Sequence, residues 1–164
     1  MSRGKLVSLL ETLKARYEDE QKTKESLESK AANLIAFVAI IVTIYTSFFS
    51  EILTKQATPY VRILLFWLGT IFYLVAGILS LLALWIRWGS APLRITREFI
   101  DDWRKTSISE KQLEEILQTD YLNAIEDLSK GNNRKALYLY CGFSFALLGV
   151  LFTVFLIASA LFSS

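Results

Sequence analysis

The sequence lacks or has little of several side chains on which many enzymes and metal sites depend. It contains no histidine, one cysteine and two prolines. Without histidine the most common general base and the most common metal ligand are both missing. The lone cysteine, Cys141, has no partner for a disulfide within the chain, and no glycine-rich phosphate loop or Ser/His/Asp set occurs. We therefore expect no enzymatic activity, no metal site and no cofactor.

The composition indicates a membrane protein. Hydrophobic residues make up 53% of the chain, and the formal net charge is only +2, so nothing points to direct binding of nucleic acid. Three long runs carry almost no charge. They are Ala31–Phe49 with 19 uncharged residues, Val61–Ile86 with Arg62 as its one charge, and Ala136–Phe162 with 27 uncharged residues. We expect all three to contact the lipid bilayer.

The lengths of these runs predict an all-α membrane protein with three transmembrane helices. A helix rises about 1.5 Å per residue, so roughly 20 apolar residues cross a hydrocarbon core of about 30 Å. No glycine or proline lies between Lys5 and Thr58, which predicts a long N-terminal helix continuous with the first span. We expect a cytosolic amphipathic arm at 1–30, spans at 31–50, 61–86 and 136–162, and a cytosolic amphipathic helical segment at 87–135.

Two local sequence patterns refine the structure predicted for the segment between the second and third spans. Ser109 with Gln112 three residues later is typical of a capping box at the start of a helix. The stretch Gly131-Asn132-Asn133 predicts a break or kink before the third span.

A seam of small or polar residues follows the first helix at alternating spacings of three and four. Its members are Ser26, Ser29, Asn33, Ala36, Ile40, Thr43, Ser47 and Ser50. Small seams let helices approach closely in lipid, where apolarity alone gives them no reason to associate. The seam either packs inside the subunit or faces other copies or a water path. Spans two and three carry similar seams, at Gly69, Tyr73, Gly77 and Ser80, and at Gly142, Ala146, Gly149 and Thr153.

Basic residues predict the orientation in the membrane. Seven Lys or Arg residues precede span one and nine lie from Arg87 to Lys135, whereas the link from Ser50 to Tyr60 has one, Lys55. Because positive residues remain on the cytoplasmic side, we expect the N terminus and the middle segment inside and the C terminus outside.

Two stretches carry a resemblance to a known family. The sequence LESKAANLIAFVAIIVT, with Glu28, Lys30 and Ala31, is similar to the opening of the SLATT and Pycsar transmembrane effector superfamily. The stretch YLNAIEDLSKGNNRKALYLYCGF, with Lys135 and Ala136, resembles its second signature. The resemblance implies a prokaryotic anti-phage effector of the cell (inner) membrane. It also implies a nucleotide trigger, with a separate protein that produces or senses the signal or a ligand held by the cytosolic helices.

Two hypotheses follow for the function. The first is a homo-oligomeric effector that permeabilises or disrupts the membrane in a nucleotide-triggered defence system. The second is a non-catalytic structural or docking subunit that binds a partner through the leucine-rich arm. The small seams favour the first, because such spans can move between two packings without exposing charge.

The orientation is testable by cysteine labelling. A cysteine at Ser163 is expected to react with a membrane-impermeant reagent added outside the cell, whereas a cysteine at Ser107 is expected to remain protected. Labelling of the Ser107 position in intact cells, with lysed cells as the accessibility control, would contradict the three-span arrangement with the N terminus inside.

Overall fold

The computed structural model describes residues 3–55, 60–86 and 109–161, and these form three helices. Helix α1 covers Arg3–Lys55, α2 covers Tyr60–Trp85 and α3 covers Glu110–Leu161. Each of the three is long and apolar enough, by length and composition, to cross a membrane. The prediction of an all-α protein with three membrane-spanning helices is therefore confirmed at this level. Of the predicted segment 87–135, residues 87–108 lie outside the described residues.

The chain divides into two compact units. One, which we call the amphipathic unit, consists of Met1–Ser26 and Ile86–Arg134. The other, the apolar unit, consists of Leu27–Trp85 and Lys135–Ser164. The first holds most of the charged residues, and the second holds nearly all of the three uncharged runs.

The capping box predicted from the sequence starts α3. The Gln112 backbone N–H donates to the Ser109 hydroxyl at 3.4 Å, and the Ser109 N–H donates to the Gln112 side-chain oxygen at 3.1 Å. These two reciprocal bonds satisfy backbone donors that the first turn of a helix leaves without partners. The helix begins at Glu110, one residue after the capping serine.

In the amphipathic unit, the N-terminal arm packs against the first half of α3. The buried apolar residues are Leu13, Ala124, Ile125 and Leu128. The rings of Tyr17 and Tyr121 meet edge to face, with centroids 5.9 Å apart. The leucine face of the arm is thus already partly occupied within its own unit.

Of the break or kink predicted at Gly131-Asn132-Asn133, the break is wrong, because α3 passes through these residues as helix, and the kink stays a prediction. The reason lies in a tertiary contact. The buried Asn132 amide donates to the Glu20 carboxylate at 2.7 Å and to the Glu20 backbone oxygen at 3.0 Å. A glycine costs a helix only about 1 kcal/mol relative to alanine, which bonds of this kind outweigh.

In the apolar unit, α2 runs antiparallel to the other two helices. Tyr45 in α1 contacts Phe66 early in α2, whereas Val38, earlier in α1, lies beside the later Gly77. The first and third helices run in the same direction, since Glu28 pairs with Lys135 and Leu34 lies beside Gly142. This up-down-up order is the one that three consecutive membrane spans require.

Aromatic rings fill the middle of the apolar unit. Phe66 stacks on Phe49 and on Tyr45, with centroids 3.8 Å and 5.0 Å apart. The Tyr45 hydroxyl donates to the carbonyl oxygens of Leu65 and Phe66, each at 3.2 Å. The Tyr73 hydroxyl, from a fully buried side chain, shares a hydrogen bond of 2.9 Å with Thr153. Both phenols therefore reach a polar partner without leaving the core.

The small-residue seams of spans two and three face inward and give these rings room. A Cβ added at Gly69 would lie 2.6 Å from the Tyr45 hydroxyl, and one added at Gly149 would lie 2.7 Å from the Tyr73 ring. Gly142 sits against Ser80 and the Ala76 backbone of α2. The approaches at Gly69 and Gly149 need glycine, because any larger side chain would occupy the space of a buried ring.

Replacing Gly149 with alanine is expected to destabilise the fold by about 1–3 kcal/mol, because the new methyl group overpacks the fixed Tyr73 ring. Gly77→Ala is the matched control on α2. Its Cβ would meet only Val38, at 4.0 Å, so the gain in helix propensity is expected to leave stability unchanged or higher. Thermal unfolding of both variants in detergent measures the difference. Equal stability of the two variants would contradict the ring-seating role of Gly149.

Candidate functional site

The structure brings together two of the family-like motif residues that are far apart in the sequence. The Lys135 ammonium in α3 donates to the Glu28 carboxylate in α1, forming an ion pair within the apolar unit. The Lys135 side chain is 3% exposed and that of Glu28 is 38% exposed. An ammonium this deeply buried needs a counter-charge, so the two side chains depend on each other.

The other three motif residues do not join this pair. Ala31 is fully buried in the core of the apolar unit, where its small side chain lets helices approach. Lys30 and Ala136 point outward and are exposed. The motif therefore marks one ion pair and one packing position.

A second ion pair shows what distinguishes the first. Lys130 and Glu126, one turn apart on α3, lie 2.6 Å from each other on the surface. The hydrogen bond from Lys130 holds the pKa of the Glu126 carboxyl below its usual range, and the same bond raises the pKa of Lys130. Both groups are fully exposed, so water and salt screen the pair and it adds little to stability. The buried Lys135 has no such screening.

The seam of α1 faces away from the subunit. All its members within the apolar unit are exposed: Ser29, Asn33, Ala36, Ile40, Thr43, Ser47 and Ser50. The buried residues of the same stretch lie on the opposite side of the helix: Ala31, Leu34, Val38, Tyr45 and Phe49. Among the described residues, the members of this seam are therefore not part of the buried core, and its role in packing or in a pore stays a prediction. Ser26, the seam member in the amphipathic unit, is also exposed.

The hydroxyl groups on this outward face bond to their own helix. Thr43 donates to the Ala39 carbonyl at 2.9 Å, Ser47 to the Thr43 carbonyl at 2.9 Å, and Ser50 to the Ser47 carbonyl at 2.7 Å. A hydroxyl satisfied in this way can lie against an apolar neighbour at little cost, yet its oxygen can still accept a bond from water.

The outward faces of the other two helices are different. The exposed residues of α2 are large and apolar: Val61, Leu64, Trp67, Ile71, Leu74, Ile78, Leu81 and Trp85. Those of α3 are also mainly large and apolar: Leu137, Tyr140, Phe143, Leu147, Leu151, Val154 and Phe155. Such side chains suit contact with lipid tails. Helix α1 also exposes Phe37, Ile40 and Ile44, and beside these large side chains it turns a row of small and polar residues outward.

Arg62 is a residue whose role the sequence did not reveal. The sequence shows it only as the one charge of the second run, near its start. In the structure it is 6% exposed, and its guanidinium donates to the Ser159 carbonyl oxygen in the last turn of α3 at 2.9 Å. The last carbonyls of a helix have no partner within the helix and carry partial negative charge, so a buried cation is favourable there.

A shallow hollow of about 500 Å³ lies on one face of α3 in the amphipathic unit. Its lining residues are Gln112, Glu115, Ile116, Thr119 and Asp120. The two carboxylates repel anions, so the hollow does not suit a nucleotide phosphate. Among the described residues, no group of three or more His, Cys, Asp or Glu side chains is placed to hold a metal ion.

Comparison with known proteins gives one family match. A model of the Pycsar effector protein domain, PycTM, matches residues 20–162, which include the Glu28–Lys135 pair and all three apolar runs. The predicted resemblance to Pycsar transmembrane effectors is thereby confirmed. Neither a curated protein nor a solved structure gives a significant match.

Proposed function

The chain belongs to the Pycsar effector family, and we propose that it is an oligomeric membrane effector that permeabilises the bilayer when a nucleotide signal arrives. The family and the three apolar helices fit a membrane effector in anti-phage defence, and they suggest a non-enzymatic mode of action. Pycsar effectors work with a separate system that produces a cyclic nucleotide. In the proposed arrangement that system supplies the trigger and this chain acts on the membrane.

The outward seam of α1 is the observation that carries the proposal. The seams of α2 and α3 are covered inside the subunit, by Tyr45 and Val38 of α1 and by contacts between α2 and α3, so the small face of α1 is left for contacts outside the subunit. Small residues let helix backbones of neighbouring copies approach closely in lipid. A ring of copies joined in this way would place the hydroxyl groups of Thr43, Ser47 and Ser50 at the contact between copies or along a water path.

The charge distribution supports an orientation for this assembly. We propose that the protein lies in the prokaryotic inner membrane, with the amphipathic unit in the cytoplasm and the C terminus outside. Helix α1, assigned over Arg3–Lys55, includes both the charged arm and the first apolar run. A cytoplasmic signal at the arm would then reach the span through one continuous element.

The docking-subunit alternative has less support. It needs a leucine face on the arm that is free to bind a partner. Leu13 is buried within the amphipathic unit and Tyr17 packs on Tyr121, so only part of that face is free, including the exposed Leu9.

The effector function is tested by producing the chain together with a cyclic nucleotide source in bacteria. We expect loss of membrane potential and entry of a membrane-impermeant dye when the signal is present, because the effector then opens the membrane. The control is the same cells without the signal. The test is repeated with the purified protein in dye-loaded liposomes, to which a panel of cyclic mononucleotides is added. No other protein is then present. Stable potential in signalling cells would contradict the proposal.

The role of the seam is tested by cross-linking. With Cys141 replaced by alanine, a cysteine introduced as Ser47→Cys is expected to form disulfide-linked dimers under oxidising conditions, because the seams of two copies meet. The matched control is Leu64→Cys on the outward face of α2, which is 60% exposed and, like Ser47, lies within one turn of the end of its run at the link between the first two spans. It is expected to remain monomeric.

The double substitution Thr43→Leu with Ser47→Leu gives the functional counterpart. Both positions are exposed, so the monomer is expected to stay within about 0.5 kcal/mol of its original stability. The bulky side chains should instead block assembly and dye leakage. If leakage is unchanged in the double variant and Ser47→Cys forms no disulfide-linked dimer, the seam plays no part in the mechanism.

A further inference from the structure

The Glu28–Lys135 ion pair occupies the end of the apolar unit where two uncharged runs begin. Ala31 starts the run of α1 and Ala136 starts the run of α3, so Glu28 lies three residues before the first of these runs and Lys135 lies immediately before the other. Further into the unit these helices meet at an apolar contact, between Leu34 and the Gly142 position. A shift of α1 against α3 at the pair would therefore be passed directly to the packed core.

Stability alone does not explain the presence of this pair. Burying two charges costs desolvation that their attraction often fails to repay, and apolar residues of similar size commonly do as well or better. Removing one partner is a different matter, because the other charge is then left buried without compensation. Such a pair thus favours one packing strongly and penalises any packing in which it is broken.

The unequal exposure of the two side chains suggests how the pair opens. Lys135 is enclosed by the unit, whereas more than a third of the Glu28 side chain reaches the surface. When the pair separates, the Glu28 carboxylate can be hydrated at the surface that it already reaches. The Lys135 ammonium has no comparable access to water while α3 stays in place. The contact is therefore released from the α1 side.

We propose that Glu28 and Lys135 form a latch that holds α1 against α3 in the resting state, and that its release accompanies activation. The inference rests on the proposed function, since a latch is needed only in a protein with resting and active packings. The latch concerns the packing of α1 on α3 inside one subunit, and it is distinct from the outward seam of α1.

The test is a double-mutant cycle with Glu28→Leu, Lys135→Met and the combination of both. Glu28→Leu leaves the enclosed ammonium unpaired and is expected to raise dye leakage without any trigger by about tenfold or more. Lys135→Met is expected to have a smaller effect, because the remaining carboxylate is partly hydrated. The double variant replaces the pair with an apolar contact and is expected to return leakage to the level of the original protein.

A second readout follows the packing itself and does not depend on leakage. Nitroxide labels at Ser29→Cys and Leu137→Cys, both exposed positions of the apolar unit, report the α1–α3 distance in liposomes. The Cys141→Ala background prevents labelling of the native cysteine. Dilution with unlabelled protein ensures that the measured distance is between two labels on the same chain. We expect a single narrow distance in the resting protein and in the double variant, and a broadened or longer distance in Glu28→Leu.

Arg62→Gln is the matched control for general destabilisation. It weakens another buried polar contact in the same unit, the bond to Ser159, without touching the latch. It is expected to lower thermal stability while leakage without a trigger remains low. If Glu28→Leu fails to insert into the membrane, Glu28→Gln takes its place. The amide removes the negative charge of the pair but keeps an acceptor oxygen for the Lys135 ammonium, so it is the milder change.

The outcomes separate the latch from the proposed function. An unchanged α1–α3 distance in Glu28→Leu, or leakage from Arg62→Gln as high as from Glu28→Leu, overturns the latch even when triggered protein leaks. Absence of leakage from the triggered original protein overturns the proposed function, and the latch as a regulatory device falls with it. Both the latch and the proposed function are supported if the α1–α3 distance changes in Glu28→Leu and recovers in the double variant, and if leakage rises and recovers in the same two variants.

Discussion

The close seating of two tyrosine rings against glycines is the constraint on which the apolar unit depends. Lipid tails are as apolar as leucine side chains, so burial from water does not hold these helices together once they are in a membrane. What remains is contact at short range and a few hydrogen bonds. Tyr73 lies against Gly149 and reaches Thr153, and Tyr45 lies against Gly69 and reaches two backbone carbonyls. The three helices can satisfy these contacts together only in one mutual arrangement.

That arrangement decides what each helix presents to its surroundings. With their glycine faces turned inward, α2 and α3 are left with large apolar side chains on the outside. Helix α1 contributes Leu34, Val38 and Tyr45 to the core, and this rotation turns its small and polar face outward. The outward seam is thus a consequence of how the core is packed. A seam in this position offers a contact to a neighbouring copy without disturbing the fold of the subunit.

Polar contacts close both ends of the apolar unit, and they differ in kind. At one end Arg62 bonds to the Ser159 carbonyl in the last turn of α3, where backbone carbonyls take partners from outside the helix. At the other end Lys135 depends on a single carboxylate from another helix. The first contact completes a helix terminus. The second makes the packing of α1 on α3 conditional on one ion pair, and for this reason the proposed latch lies at the Glu28 end.

The sequence alone specifies the three apolar helices, the absence of histidine, the capping box at Ser109 and the membership of the family. Each of these depends on composition, on run length or on residues a few positions apart. Tertiary structure decided the continuity of α3 through Gly131, where the bond from Asn132 to Glu20 offsets a weak helix former. It also decided the burial of Arg62, the pairing of Glu28 with Lys135 and the outward direction of the α1 seam.

A periodic pattern tells which residues share a face of a helix, but the partner of that face depends on how every helix is rotated about its own axis. That rotation is settled by contacts between residues about a hundred positions apart, such as the 107 that separate Glu28 from Lys135.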